Sequence, residues 1–192
     1  MKRLVVLISG NGSNLQAILD ACQRKQLSAV VCAVVSNKPD AYGLTRARNA
    51  AVEAVYFPKQ KDESRREYDA RLADLVAGCQ PDYVILAGWM RLLTSAFLDQ
   101  FPDRVVNLHP ALPGAFPGTH AIERAYAAWQ NGEIDRSGVM VHLVPDEEID
   151  DGPILATDEI FFSPGESLED FAARVHAVEH RLLVNTLADL VS

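Results

Sequence analysis

The chain has 192 residues with 26 acidic and 18 basic side chains, and its formal net charge of −8 argues against nucleic acid or an anionic membrane surface as a partner. Hydrophobic residues make up 48% and charged residues 23%, the proportions of a globular chain that can bury a core of its own. The three cysteines, Cys22, Cys32 and Cys79, are far apart and odd in number, which disfavours a disulfide framework, and no apolar run is long enough for a secretory leader or a membrane span, so a cytoplasmic protein is expected.

Short apolar runs alternate with segments of helical period, the pattern of a mainly parallel, Rossmann-like sheet covered by helices on both faces. Arg3 to Ile8, Ala29 to Ser36, Glu53 to Phe57, Asp82 to Ala87 and Arg104 to His109 read as strands, with too little alternation to have a wet face. Leu15, Ile18, Leu19 and Cys22 recur at helical spacing, and Tyr68, Leu72 and Leu75 give Asp62 to Ala77 a similar stripe. A Pro/Gly-rich loop after His109 leads to a helix near Ala121 to Asn131. Strands at Gly138 to Val144 and Ile154 to Phe162 then precede a long helix from about Ser167. No repeat or linker divides the chain, so a single three-layer α/β domain over residues 1–192 is expected.

The first strand runs into Ser9-Gly10-Asn11-Gly12-Ser13-Asn14 and then a helix, a layout in which backbone N–H groups and the helix end bind an anion. Leu15 stands at the third glycine position of a dinucleotide loop, and no ribose-binding acid ends the second strand, which disfavours NAD. A nucleoside triphosphate loop needs a Lys where Ser13 stands. Two readings remain for the segment: a phosphomonoester cradle, or a tight turn with Ser13 as N-cap.

In Val105-Val106-Asn107-Leu108-His109, alternation puts Asn107 and His109 on one face at the carboxyl end of a strand. An amide donor that holds an oxyanion beside an imidazole that moves a proton suits acyl or formyl transfer, although a lone His at a strand end is commonly structural. The acidic run Asp146 to Asp151 is a source of a carboxylate for the imidazole, or else a solvated turn. On the last helix Glu179 falls in the middle of the apolar stripe formed by Phe171, Val175, Val178, Leu182 and Leu183, so it is a snorkelling or a ligand-binding carboxylate. His176 to His180 also spells H-x-x-E-H, a zinc signature that lacks a third ligand nearby.

Four segments together resemble the phosphoribosylglycinamide formyltransferases of purine synthesis: Val6 to Gln16, Leu86 to Leu93, Asn107-Leu108-His109-Pro110 and Asp150-Asp151-Gly152-Pro153. The resemblance covers nearly the whole chain and implies the formyltransferase fold. It implies transfer of the formyl group of 10-formyltetrahydrofolate, as co-substrate and without a metal, to the amine of glycinamide ribonucleotide. By the same resemblance Gly12, Ser13 and Asn14 cradle the ribonucleotide phosphate, His176 and Glu179 reach the same substrate, and Glu179 meets the ribose. Arg65, Met90, Arg91, Leu92, Leu93, Asn107, Pro145, Asp146 and Asp150 are implied to line the folate pocket.

Catalysis is then expected from Asn107 as oxyanion donor, His109 as general acid, and Asp150, which raises the His109 pKa or binds the water relaying the proton. The partners implied are small molecules only, and the chain is expected to be a monomer or homodimer. Formyltetrahydrofolate hydrolases share the Asn-His-Asp chemistry, and a non-catalytic sugar-phosphate binding protein would need only the first loop. The chain departs from the family pattern at Ala111, at Met140, at His176 where a Gln is usual, and at Asp151 where a Gly is usual. The last departure leaves Asp150 and Asp151 as competing candidates for the catalytic carboxylate.

Overall fold

The computed structural model describes residues 1–192. In chain order the elements are β1 (Lys2–Ile8), α1 (Ser13–Gln23), β2 (Ala29–Ser36), α2 (Tyr42–Asn49), β3 (Glu53–Tyr56), α3 (Arg65–Gly78) and β4 (Tyr83–Leu86). There follow α4 (Ser95–Leu98), β5 (Val105–His109), α5 (Ala121–Gln130), β6 (Arg136–Leu143), β7 (Ile154–Phe161) and α6 (Leu168–Val191). All seven expected strands form, with ends displaced by at most two residues. The helices α2 and α4 have no counterpart among the sequence expectations: α2 is polar apart from Leu44 and Ala47, and α4 is a single turn too short to show a period.

The strands make one sheet in the order β3-β2-β1-β4-β5-β6-β7. The first five are parallel, while β6 and β7 run antiparallel to their neighbours. Apolar side chains pack on both faces, because Leu4, Val6 and Ile8 of β1 join the cluster under α1, α2 and α6, whereas Val5 and Leu7 join the one under α3 and α4. All five residues are fully buried, which is why β1 shows no polar alternation. A full burial of that kind is worth about 1.5–3 kcal/mol per large aliphatic side chain.

Strand order reverses at β1 and β4: the chain first builds outward through β2 and β3, then returns to place β4 and β5 on the other side. The chain leaving the carboxyl ends of β1 and β4 therefore turns in opposite directions along the sheet, which opens a crevice at the place where open α/β sheets hold ligands. Two local devices set the walls of this crevice. A capping box starts α3, where Ser64 Oγ accepts from Glu67 N at 3.2 Å and Glu67 Oε2 accepts from Ser64 N at 2.8 Å. Between β6 and β7 the chain turns at Gly152, where a Cβ would lie 1.8 Å from the Leu143 carbonyl oxygen, so only glycine closes this loop.

Candidate active site

Ser9, at the end of β1, ties the loops of the crevice together. Its N–H donates to Gly88 O at 2.9 Å, its Oγ accepts from Met90 N at 2.8 Å, and the same hydroxyl donates to Asn37 Oδ1 at 2.6 Å. The segment after β4 is further held from the α3 side. Thr94 N donates to the fully buried Asp69 at 2.7 Å, and Arg65 Nε donates to Leu92 O at 3.0 Å. With its backbone held this way, the loop leaves Met90 63% and Leu92 43% exposed, apolar surface turned to a cavity rather than to the core.

That cavity, of about 340 Å³, runs between the loop after β4, the end of β5 and the acidic loop before β7. It is lined by Met90 to Leu93 on one side, by Asn107 and His109 beneath, and by Asp146 to Asp150 on the other, the size and mixed lining of a small-molecule site. Val105 packs in the cluster under α3 and α4, and the period of two carries Asn107 and His109 onto the same face.

Asp150 is where these polar groups meet. Asn107 Nδ2 donates to Asp150 Oδ1 at 3.0 Å, His109 Nδ1 lies 3.3 Å from Asp150 Oδ2, and Gly118 N donates to that oxygen at 2.8 Å. A second imidazole, that of the buried His142 on β6, sits 3.6 Å from Asp150 Oδ1 and 3.1 Å from Asn107 Nδ2. Asp150 takes a left-handed backbone, φ 54°, which swings its carboxylate inward and leaves Asp151 exposed. Of the two acids, Asp150 is the one that meets Asn107, His109 and His142.

The ionisation of this cluster follows from burial and charge together. Burial pushes the Asp150 carboxyl up, but the His142 bond, the Gly118 amide and the neighbouring imidazole outweigh it and hold the group below its usual range. For His109 the balance falls the other way: burial lowers its pKa, and the opposing pull of Asp150 and of the Phe116 carbonyl does not fully offset it. The expectation that Asp150 raises the His109 pKa is therefore correct for the sign of that one contact and wrong for the sum. Both neighbours of the ring, Asp150 and Phe116 O at 3.1 Å from Nε2, are acceptors, so proton uptake satisfies both at once.

A second feature lies on the far side of β1. Gly12 caps α1 in the left-handed conformation, φ 75°, and no side chain caps the helix. Ser13 is thus the first helical residue, not the N-cap, and the first-turn amides keep their donors. Asn14 Oδ1 is buried with no hydrogen-bond partner in the protein. α6 packs along α1, and on it Glu179, only 5% exposed, accepts from His176 Nδ1 at 2.7 Å. The bond to Glu179 holds the His176 pKa above its usual value against partial burial. In the H-x-x-E-H segment His176 thus meets the intervening glutamate, and no group of three or more His, Cys, Asp or Glu side chains in the chain is arranged to hold a metal ion.

Residues 2–187 match the formyl transferase family. A Dictyostelium discoideum phosphoribosylglycinamide formyltransferase is 43% identical over 96% of this chain and 95% of its own. The Escherichia coli enzyme of the same name is 41% identical over 97% of this chain and 87% of its own. Among solved structures, glycinamide ribonucleotide transformylase 1 from Geobacillus kaustophilus superimposes with a TM-score of 0.92 at 38% identity, covering 100% of both chains. The chain belongs to the formyl transferase family.

Within this formyltransferase the crevice gathers most of the residues singled out in sequence and separates them into two groups. Met90, Arg91, Leu92, Leu93, Asn107, His109, Asp146 and Asp150 line the cavity. Gly12, Ser13, Asn14, His176 and Glu179 belong to the α1 and α6 side. Arg65 and Pro145 are not part of the cavity lining: Arg65 instead donates to the Leu92 carbonyl of the lining loop. Arg66, its sequence neighbour, instead donates to Ser95 Oγ at 2.9 Å.

Three residues around the crevice have no role of their own in the sequence expectations. His142 is a lone polar residue in an apolar strand, the same signal that marks Asn107, but its antiparallel partner Asn107 is a matter of register. Gly118 contributes only a backbone amide, which no side-chain pattern records. Ser9 looks like part of a glycine-rich turn, and its function as a tie between three loops depends on strand order.

Proposed function

We propose that this chain transfers the formyl group of 10-formyltetrahydrofolate to the amine of glycinamide ribonucleotide, with residues 1–192 working as one formyltransferase domain around a single sheet. The observation that carries the reading is the convergence of Asn107, His109 and His142 on Asp150 at the floor of the cavity, within 3.0 to 3.6 Å. In this reading the folate lies between Met90 to Leu93 and the loop Asp146 to Asp150, and the ribonucleotide phosphate lies at Gly12, Ser13 and Asn14. Glu179 and His176 meet the ribonucleotide from α6.

The amine lone pair attacks the formyl carbon, a C–N bond forms, and the carbonyl electrons move to oxygen. Asn107 Nδ2 donates to that oxyanion, exchanging its resting contact with Asp150 for the developing charge. Collapse restores the carbonyl and breaks the bond to the folate nitrogen, which takes a proton from His109. The proton lost by the attacking amine passes to the imidazole and replaces the one given to the folate nitrogen, and Asp150, held as an anion by its neighbours, stabilises the imidazolium and orients it. The walls of the crevice add proximity by holding both substrates at the end of β5.

The test is purified, EDTA-treated protein with 10-formyltetrahydrofolate, followed by folate absorbance with and without glycinamide ribonucleotide. Turnover only with the ribonucleotide supports the transferase. Turnover without it makes the chain a hydrolase, and absence of turnover with retained ribonucleotide binding makes it a binding protein.

A further inference from the structure

The turn from Gly10 to Ser13 is held from one side by α2. Arg46 Nε donates to Asn11 O at 2.9 Å, one terminal nitrogen donates to Asn11 Oδ1 at 2.9 Å, and the other donates to Gln16 Oε1 at 3.2 Å. One turn earlier on α2, Gly43 N donates to Gly10 O at 3.1 Å. Gly43 also sits so close to the turn that a Cβ on Gly12 would lie 2.7 Å from its Cα. Arg46 therefore grips the turn at both ends, at Asn11 before the left-handed Gly12 and at Gln16 in the first turn of α1.

The electrostatics of this grip are unusual for a chain of net charge −8. The acceptors of Arg46 are two carbonyl-type oxygens of Asn11 and the amide oxygen of Gln16, none of them a carboxylate, so its charge is not neutralised. No other Lys or Arg side chain hydrogen-bonds to the segment from Ser9 to Gln16. The ring of Tyr42 lies 4.9 Å below the guanidinium and covers one face of it. On the α6 side stands the buried Glu179, an acid that by itself opposes an anion. A fixed, unneutralised cation beside first-turn amides with free donors is the arrangement that favours a doubly charged phosphate over a neutral group.

We infer that Arg46 is a positioning residue for the phosphate of the acceptor: it holds the Asn11 to Ser13 backbone in the binding conformation and supplies the positive charge that the turn itself lacks. This rests on the proposed placement of the ribonucleotide phosphate at Gly12 to Asn14. Specificity for a phosphorylated acceptor is then set by α2 as well as by the turn.

The experiment compares wild type, Arg46→Gln and Arg46→Lys with two acceptors, glycinamide ribonucleotide and the same molecule without its 5′-phosphate, and with inorganic phosphate as competitive inhibitor. Arg46→Gln is expected to raise KM for the ribonucleotide by about 10- to 100-fold, with the loss falling on KM rather than kcat. It is expected to weaken inhibition by phosphate to a similar extent while leaving kcat/KM for the dephosphorylated acceptor within about twofold. Arg46→Lys, which keeps the charge and loses the fork, is expected to fall between the two. Equal losses on both acceptors, or unchanged phosphate inhibition in Arg46→Gln, overturn the inference while leaving the cradle in place. A wild-type enzyme that neither prefers the phosphorylated acceptor nor is inhibited competitively by phosphate overturns the cradle and the inference with it.

Discussion

The Asp150 carboxylate stands 3.3 Å from His109 Nδ1 while the opposite ring nitrogen of His109 lies 3.1 Å from the Phe116 carbonyl, so the imidazole is flanked by acceptors on both sides. A buried ring prefers to be neutral, and these neighbours prefer it charged. The proton on a charged His109 is thereby weakly held, which agrees with the general-acid role proposed for it.

Removing the two reacting side chains separates their contributions. Asn107→Ala is expected to lower kcat about 10²- to 10³-fold by removing an oxyanion donor. His109→Ala is expected to lower it about 10²- to 10⁴-fold by removing the acid. Steady-state kinetics at saturating substrates check this, and turnover near wild type in both variants refutes the proposed chemistry.

The Asp150 to His109 contact predicts a directional change in the pH profile. Asp150 opposes the burial of His109, so Asp150→Asn lets the His109 pKa fall further. If the protonated ring is the active form, the alkaline limb of the kcat/KM profile moves to lower pH. A limb that stays in place, or moves to higher pH, shows that the titrating group is another one.

Asp69 is fully buried, and burial raises its pKa despite the bond from Thr94 N and the nearby Arg65 and Arg91. A carboxyl whose pKa is raised by folding contributes less stability as pH rises from about 4. Asp69→Asn keeps an acceptor and removes the charge, so it is expected to gain stability relative to wild type at pH 7, with the gain shrinking towards pH 4. Asp69→Ala leaves Thr94 N without its acceptor and is expected to cost about 1–3 kcal/mol and to raise KM for the folate. Urea denaturation across this pH range reads the first effect and kinetics the second.

The two glycines of the first turn are expected to differ sharply. Gly12 has φ 75° and meets the Gly43 backbone, whereas a Cβ on Gly10 meets nothing within 4 Å. Gly12→Ala is expected to cost about 1–3 kcal/mol through backbone strain and to weaken ribonucleotide binding. Gly10→Ala is expected to be close to neutral in stability, and thermal denaturation of the pair distinguishes them. Equal effects would mean that strain is not what the turn depends on.

Much of this protein is legible in the order of its residues. The strands are apolar because both faces of the sheet are covered, the turn after β1 is marked by Gly10 and Gly12, and the pair Asn107 and His109 is fixed to one face by the period of two. Glu179 is equally plain, since a carboxylate in the middle of an apolar stripe stands out against any bland account of the helix. These are local properties, set by each residue and its near neighbours along the chain.

Only the tertiary structure decides which of these residues meet. That Asp150 rather than Asp151 faces His109 depends on a left-handed backbone and on the closure at Gly152 against Leu143. That His142 joins them depends on the antiparallel register of β6 on β5, and that Arg65 holds the loop after β4 at the Leu92 carbonyl depends on where α3 packs. Arg46 and Asn11 lie 35 positions apart, and nothing local distinguishes this arginine from the exposed ones around it. Hydrogen bonds and charges act through distances of a few ångströms, which chain separation does not encode, so the identity of the contacts was settled by strand order and helix packing.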